Sequence, residues 1–436
     1  MPFRQRLAAI KQFSTGTERL RDAGGRVTAF ALGPRWLMPP MVLVTSPAAI
    51  RDVLSTKDSS VDKTTPVFTE MRATLGDNLT VLPFDLWKPR RRILQPVFTK
   101  QRVNEFGGHI TQAAQAVCDK WGDDVEIDID AECRALTLRS LGRSVLGLDL
   151  DQRADLVSEP LRVALAYAIG RSTRPVRAPS WLPTPARRRA REANAQLHTL
   201  TQEIVDDCRA DPTRVAPLVR ALLAARDPET GAQLSDREIC DELIIFVFAG
   251  HDTTATTLGY SLWSLGRHPE IQDRVAAEVA ALPDRPLTPD DVAQLGYTMQ
   301  VVRESLRLCP PTPTGTRMAD QDVEVDGYLV PKGTMIIVGR MAVQRDPQLW
   351  EDPLRFDPDR FSPENFKAID RWQYLPFGGG PRACIGNHFA MLQVTLALAT
   401  IIRTFEIQST DPDFPTTLHF TMIADGPIRA RVRSRR

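Results

Sequence analysis

The chain has 436 residues, of which 42% are hydrophobic and 25% charged, and its formal net charge at pH 7 is +1. This is the composition of a globular protein that is long enough to bury a large core. A net charge so close to zero argues against nucleic acid or another polyanion as the main partner. No compositional boundary divides the sequence, so we expect a single catalytic domain over residues 1–436.

The cysteines and the N-terminus bear on the cellular compartment. No two of the six cysteines form a C-x-x-C pair, so neither a disulfide framework nor a structural zinc site is indicated. Charged residues interrupt the first twenty positions, and Arg35 and three prolines interrupt the first apolar stretch. The sequence therefore predicts no signal peptide and no membrane anchor, and we expect a cytoplasmic protein.

The first predicted elements are a strand at residues 41–45 and a helix directly after it. Ser46 is the expected N-cap of that helix, and Pro47 suits its first turn. From residue 64 to residue 83 the periodicity is lost, and we predict a loop there.

The sequence W-K-P-R-R-R at residues 87–92 opens a basic helix. Trp87 and Arg91 are four residues apart and share a helix face, where an indole N–H and a guanidinium suit a carboxylate. The simpler interpretation of such a run is a solvated basic face. The other basic residues nearby are predicted to form a surface patch for an acidic partner: Lys88, Arg90, Arg92, Lys100 and Arg102.

Helices are predicted over most of residues 100–235, with a proline- and arginine-rich loop at residues 171–191. Ser235 and Glu238 form a capping-box pattern, and the helix that they start is expected to end near Gly266. Its flanks are apolar, but its centre at residues 249–254 is A-G-H-D-T-T. Buried polar groups are costly unless hydrogen-bonded, so this centre indicates either a function or threonines that bond to carbonyls one turn back.

A helix that ends at Pro310 carries Glu304 and Arg307 three residues apart, which makes them neighbours on its surface. Beyond this helix, alternating apolar residues predict strands with a turn at Asp326 and Gly327. The predicted architecture is mainly α with small β-sheets.

The most specific pattern is F-G-G-G-P-R-A-C-I-G at residues 377–386. Three glycines and a proline favour a tight loop, and an apolar helix is predicted directly after it. Cys384 would then lie at a helix N-terminus, where free N–H groups favour a thiolate, which is a ligand for haem iron. The alternative for any single cysteine is a buried free thiol.

The spacing F-x-x-G-x-R-x-C-x-G, formed by Phe377, Gly380, Arg382, Cys384 and Gly386, resembles the haem-binding loop of the cytochrome P-450 family. The W-x-x-x-R, A-G-x-D-T and E-x-x-R patterns described above occur in the family's order. The resemblance covers most of the chain. It implies the cytochrome P-450 fold of the soluble bacterial type and one haem b (iron protoporphyrin IX) ligated by Cys384.

The resemblance also implies roles for single residues. Asp252 would relay protons and Thr253 would take part in oxygen activation, as the catalytic pair. Arg360 would join Glu304 and Arg307 in a structural cluster that braces the haem loop. The residues with an implied cofactor-binding role are Trp87, Arg91, Ala249, Gly250, Arg317, Phe377, Gly378, Arg382, Cys384 and Gly386.

The implied reaction is insertion of one oxygen atom from O2 into a hydrophobic small molecule of the fatty acid, terpenoid, steroid or polyketide class. A mostly apolar pocket suits such a substrate. The side chains expected to line the pocket are Val67, Phe68, Ile245, Phe246, Phe248, Ala249, those of residues 312–316, Met422 and Ile423.

Only about fifty residues follow the haem loop, so no fused reductase is expected. A separate ferredoxin or flavodoxin with its reductase would deliver the electrons. Two alternatives remain: a haem-thiolate enzyme that uses peroxide or works without O2, and a haem sensor or carrier. The acid and hydroxyl of Asp252 and Thr253 argue against both.

Overall fold

The computed structural model describes residues 8–9, 13–148, 155–174, 176–179 and 181–435. Most of this part of the chain is helical. In chain order its α-helices, named α1 to α16, are Phe13–Gly24, Pro47–Arg51, Pro66–Leu75, Phe84–Leu94, Lys100–Asn104, Gly107–Cys118, Ile129–Leu141, Asp155–Ser172, Pro185–Ala210, Pro217–Ala224, Asp236–Arg267, Pro269–Ala280, Gly296–Leu308, Arg340–Gln344, Pro363–Ala368 and Asn387–Thr404.

The strands are short and form small sheets beside the helices. In chain order they are β1 to β12: Val27–Phe30, Met41–Val44, Val61–Asp62, Val125–Asp128, Gly315–Ala319, Val323–Val325, Tyr328–Val330, Met335–Val338, Phe405–Ser409, Thr416–Leu418, Met422–Ala424 and Arg429–Ser434. The largest sheet has the order β1-β2-β8-β5-β3, in which β2 and β8 are parallel and the other pairs antiparallel. The prediction of a mainly α architecture with small sheets is confirmed.

Helix α11 passes through the main hydrophobic core and packs against α7, α9, α13 and α16. Its 32 residues give it a length of about 48 Å. The predicted capping box is present, since the Glu238 N–H donates to Ser235 Oγ and the Ser235 N–H donates to Glu238 Oε2 at 2.8 Å. In the described ranges, no helix has the length and apolar character needed to cross a membrane.

The loop predicted for residues 64–83 is wrong in part, because it contains helix α3. Phe68, Met71 and Leu75 are buried at spacings of three and four residues, which is a short helical stripe. The second predicted loop, at residues 171–191, is shorter than expected. Thr184 caps α9 by accepting the Arg187 N–H, so the helix takes up the end of that stretch.

Two local predictions are confirmed. Ser46 caps α2, accepting the Ala49 N–H at 3.1 Å, and Pro47 is in the first turn. The turn between β6 and β7 places Asp326 at φ 48° and Gly327 at φ 79°, the positive values that a tight hairpin turn requires.

The predicted cluster around Glu304 is also present and is deeply buried. Arg307 donates from Nε and Nη2 to the two Glu304 oxygens at 2.6 and 2.7 Å, and Arg360 Nε lies 3.6 Å from the same carboxylate. Arg307 also donates to the carbonyls of Gln344 and Pro353. The cluster thus fastens α13 to the segment that leads to the glycine-rich loop.

Candidate active site

The glycine-rich loop before α16 is held by backbone contacts that exclude side chains. The Cys384 N–H donates to the Phe377 carbonyl at 2.9 Å, which closes the loop. Gly380 has φ +70°, and a Cβ atom there would lie 1.7 Å from the Leu54 carbonyl oxygen. Only glycine fits such an approach, so the loop has one conformation and Cys384 a fixed position.

Cys384 differs from the other five cysteines, which are buried, because its side chain is accessible. It nevertheless lies deep in the protein, where desolvation raises the pKa of its thiol. A backbone hydrogen bond from Gly386 and the charges of Arg91, Arg340 and Lys63 act in the opposite direction and lower this pKa. The sulfur therefore opens toward the interior. The predicted position at a helix N-terminus is confirmed, since α16 begins at Asn387 with Gly386 as its N-cap.

Arg382 and Trp87, which the sequence assigned to one site, are in contact. The Arg382 guanidinium lies 4.9 Å from the Trp87 ring centroid, donates to Asp62 Oδ1 at 2.6 Å and donates to the Leu82 carbonyl at 2.9 Å. Helix α4 and the glycine-rich loop therefore meet at this arginine.

A cluster of cations surrounds this contact and includes two residues that the sequence analysis missed, Lys63 and Arg340. Lys63 Nζ donates to the Thr80 carbonyl at 3.1 Å, and desolvation together with Arg317, Arg382 and Arg340 holds its pKa well below the usual value. Desolvation lowers the pKa of Arg91 as well, and Cys384 opposes this. The members of this cationic cluster are Lys63, Arg91, Arg317, Arg340 and Arg382.

The cationic cluster fits a haem, whose periphery carries two carboxylates. Lys63, Arg91 and Arg340 make no ion pair with a carboxylate in the described part of the chain. Buried cations are costly without an anion. The signal for Arg340 in the sequence is its position two residues after the end of the apolar strand β8.

The centre of α11 opens toward the interior at Ala249, which is exposed between buried flanks. The Thr253 hydroxyl donates to the Ala249 carbonyl at 2.5 Å, and Thr254 makes the same bond to Gly250. The polar centre of α11 therefore contains the threonine bonds to carbonyls one turn back that form the structural alternative to a function. The role of Thr253 in oxygen activation stays a prediction.

Asp252 is held by Arg134, which the sequence did not single out. Arg134 Nη1 donates to Asp252 Oδ1 at 2.7 Å, and Arg134 Nε donates to Asp130 Oδ2 at 2.6 Å. Beside them, His251 Nδ1 lies 3.0 Å from Thr137 Oγ1, and burial lowers the pKa of His251 to about 4. Asp252 thus belongs to a network that joins α11 to α7.

The predicted basic surface patch is wrong at Arg90, which is only 7% exposed. Arg90 donates to Glu242 at 2.9 Å and to Glu238 at 2.5 Å, both on α11. Arg92 is engaged as well, with Asp227 and Glu229. Arg90 is therefore not part of the protein surface, because it is buried against α11. The charge of Arg92 is neutralised by its two ion pairs. The exposed remainder of the patch is Lys88, Lys100 and Arg102.

Two predicted pocket residues, Phe68 and Phe248, are brought together around Phe420, a residue that the sequence motifs do not indicate. Its ring centroid lies 6.4 Å from that of Phe68 and 5.8 Å from that of Phe248. Thr316 Oγ1 lies 3.2 Å from Thr65 Oγ1. Met422 is fully buried, and its carbonyl accepts a hydrogen bond from Thr256, so it serves to join β11 to α11.

Comparison with known proteins identifies the family of the chain. The profile of the family described as Cytochrome P-450 matches residues 13–432. Cyclooctatin synthase of Streptomyces melanosporofaciens is 34% identical over 87% of this chain and 82% of its own. Pentalenene oxygenase of Streptomyces avermitilis is 32% identical over 90% and 86%. The crystal structure of the cytochrome P-450DA heme domain superposes with a TM-score of 0.86 at 26% identity, covering 97% of this chain and 94% of that one. The chain therefore belongs to the cytochrome P-450 family of monooxygenases.

Proposed function

We propose that the whole chain is one catalytic domain that inserts an oxygen atom from O2 into an apolar terpenoid, at a haem b ligated by Cys384. The observation that carries the proposal is the Cys384 sulfur, fixed at the N-terminus of α16 and open toward the interior beside the cationic cluster. A haem bound there would supply the iron at which O2 is activated.

The cofactor-binding roles are divided between the two ends of the site. Trp87, Arg91, Arg317 and Arg382 would hold the haem carboxylates, because indole and guanidinium N–H groups bind carboxylates well. The loop residues with a proposed role are Phe377, Gly378 and Gly386, and those of α11 are Ala249 and Gly250. Phe377 closes the loop through its carbonyl, and the Gly386 N–H bonds the Cys384 sulfur, which favours the thiolate.

Asp252 and Thr253 would supply protons to the reaction. Both side chains are partly exposed, so each can exchange protons with water. Thr253 Oγ1 uses its proton toward the Ala249 carbonyl, which leaves the oxygen lone pairs free to accept a proton donor. Arg134 Nη1 donates to Asp252 Oδ1 at 2.7 Å and so fixes the position of this carboxylate next to Thr253.

The aromatic lining supports an apolar substrate. Phe68, Phe248 and Phe420 form one aromatic group from α3, α11 and the segment before β11, and Lys63 Nζ lies 5.1 Å from the Phe68 ring centroid at the edge of this group. Two relatives are named cyclooctat-9-en-7-ol 5-monooxygenase and pentalenene oxygenase, and these cyclic terpenoid names favour the terpenoids among the apolar classes.

The electrons would come from a separate ferredoxin or flavodoxin with its reductase, in the cytoplasm. The exposed cations Lys88, Lys100 and Arg102 support an acidic carrier, since they lie on or just after α4, the helix that contacts Arg382 through Trp87.

The test combines a spectrum and a turnover assay. The ferrous CO complex of the purified holoprotein is expected to show the red-shifted Soret band of thiolate ligation. Cys384→His should abolish this band, and Cys208→Ala, at a buried cysteine, should keep it. If Cys384→His kept the band, another cysteine would be the ligand and the assignment would be wrong.

The substrate class is tested by titrating the ferric protein with cyclic terpene hydrocarbons and their alcohols, fatty acids and steroids. Terpenoids are expected to give the largest low-spin to high-spin shift and to be oxygenated when ferredoxin, reductase, NADPH and O2 are supplied. A shift produced only by strongly polar or cationic compounds would contradict an apolar pocket. Oxygenation that proceeds with peroxide but never with reductant and O2 would contradict the proposed use of O2.

A further inference from the structure

Arg340, the first residue of α14, has incomplete hydrogen bonding although it lies deep in the protein. Its Nη1 donates to Thr312 Oγ1 at 2.6 Å and to the Thr312 carbonyl at 3.3 Å. Its Nε is buried and has no hydrogen-bond partner in the described ranges. A guanidinium carries five N–H donors, so most donors of this side chain are unused.

The charged groups near Arg340 do not neutralise it. Lys63 is a like charge, and Asp62, the carboxylate that precedes Lys63 in the chain, accepts a hydrogen bond from Arg382. Desolvation lowers the pKa of Arg340 to about 10, and Cys384 opposes this. A buried cation in such surroundings needs an anion to offset its desolvation.

The backbone around Arg340 makes room for the guanidinium. A Cβ atom at Gly315 on β5 would lie 2.7 Å from Arg340 Nη2, and one at Gly378 would lie 3.9 Å from it. Gly315 does not have a positive φ, so its backbone conformation does not require glycine. The absence of a side chain at Gly315 instead leaves space for the Arg340 guanidinium. The guanidinium therefore lies between β5, which also carries Arg317, and the loop that carries Cys384.

We propose that Arg340 is a carboxylate-binding residue of this site, and that Thr312 and Gly315 hold its guanidinium for that role. The inference rests on the proposed haem site and adds a ligand contact that none of the sequence motifs assigns. The carboxylate has two possible sources with the same chemistry: the periphery of the haem, or an acidic group on the substrate.

The first arm of the test measures the release of haem from the holoprotein to excess apomyoglobin. If the haem supplies the carboxylate, Arg340→Gln should speed release about tenfold, the factor expected for one hydrogen bond between charged groups. Arg340→Lys keeps the charge but loses the planar fork, so it should give an intermediate rate. Lys332→Gln removes an exposed cation from the turn before β8 and should leave the rate unchanged.

The second arm measures dissociation constants for a long-chain fatty acid and its methyl ester, from the spin-state shift. If the substrate supplies the carboxylate, Arg340→Gln should weaken binding of the acid about tenfold, leave binding of the ester unchanged, and leave haem release at the wild-type rate. The two arms thus distinguish the two sources.

Gly315→Ala provides a second variant that retains the arginine. Its new methyl group should displace the guanidinium. Whichever quantity Arg340→Gln changes, the rate of haem release or the dissociation constant of the fatty acid, Gly315→Ala should change in the same direction. If all three variants released haem at the wild-type rate and kept the wild-type preference between acid and ester, the proposal would be overturned. Failure of the proposed haem site would be visible earlier, because the wild-type protein would then lack the thiolate-type spectrum.

Discussion

Arg90 Nη1 donates to Glu242 at 2.9 Å, and this buried ion pair fastens α4 to the long helix α11. Helix α4 carries Trp87 and Arg91, and α11 carries Asp252 and Thr253. The Leu79 N–H also donates to Glu242 at 2.9 Å. One carboxylate therefore aligns the helix proposed to bind the cofactor with the helix proposed to supply protons.

Glu242 should make stability depend on pH. Burial raises the pKa of Glu242 from 4.5 to about 7, against the opposing charge of Arg90. Between these values the folded state binds a proton that the unfolded state has released, so this contribution to the free energy of unfolding falls as pH rises. In Glu242→Gln, the decline of the free energy of unfolding between pH 5 and pH 8 should be smaller than in the wild type by roughly 2–3 kcal/mol.

The measurement is urea unfolding of the holoprotein at pH 5, 6, 7 and 8. Asp241, whose pKa burial raises to about 6, contributes to the wild-type profile as well, so the difference between wild type and variant is the informative quantity. Glu229→Gln, at an exposed glutamate, serves as the control. Parallel pH profiles for wild type and Glu242→Gln would show that Glu242 is ionised throughout.

Thr253→Ala should divert reducing equivalents from product into peroxide. The hydroxyl is assigned to oxygen activation, so product formed per NADPH consumed should fall about tenfold while haem binding is retained. Thr254→Ala is the matched control, because Thr254 makes the same bond one turn back but is buried. Equal coupling in the two variants would assign Thr253 a purely structural role.

Glu304→Ala should yield little haem-loaded protein. Arg307 and Arg360 would lose the carboxylate between them, and removing one partner of a buried ion pair costs about 3–5 kcal/mol. The check is the ratio of Soret to protein absorbance after purification, with Glu364→Ala at an exposed position of α15 as control. Normal loading of Glu304→Ala would contradict the bracing role.

Reduction by an acidic ferredoxin should slow as salt is raised, because attraction between exposed charges is screened beyond about 8 Å at physiological ionic strength. Lys88→Glu should slow reduction at low salt, whereas Lys332→Glu on the exposed turn before β8 should not. Stopped-flow reduction under CO measures both rates. Rates that do not depend on salt would contradict electrostatic docking at Lys88.

The sequence predicted those parts of the site that depend on local spacing. The loop around Cys384, the capping box at Ser235 and the Glu304 pair each involve residues within one turn or one helix, so their geometry follows from their separation along the chain. The buried stripe of α3 has the same local character and is detectable in the sequence as apolar residues at spacings of three and four.

The remaining features depend on contacts between residues that are remote in sequence. Arg90 is adjacent to basic residues along the chain, and only the packing of α4 on α11 shows that it is buried. The pairing of Asp252 with Arg134 spans 118 positions, and Phe420 joins Phe68 and Phe248 only in the folded chain. No local pattern specifies such contacts, because they are set by how the helices pack.

The cationic cluster links the abundance of the folded protein to haem supply. Lys63 is repelled by Arg317, Arg340 and Arg382, and desolvation lowers the pKa of Lys63, Arg91 and Arg340 alike. A ligand that binds only the folded state raises its stability, and a dianionic ligand also removes this repulsion. We therefore expect newly synthesised chains that meet no haem to keep this strain, unfold more often and be exposed to proteolysis, so that the amount of enzyme in a cell would follow the amount of cofactor.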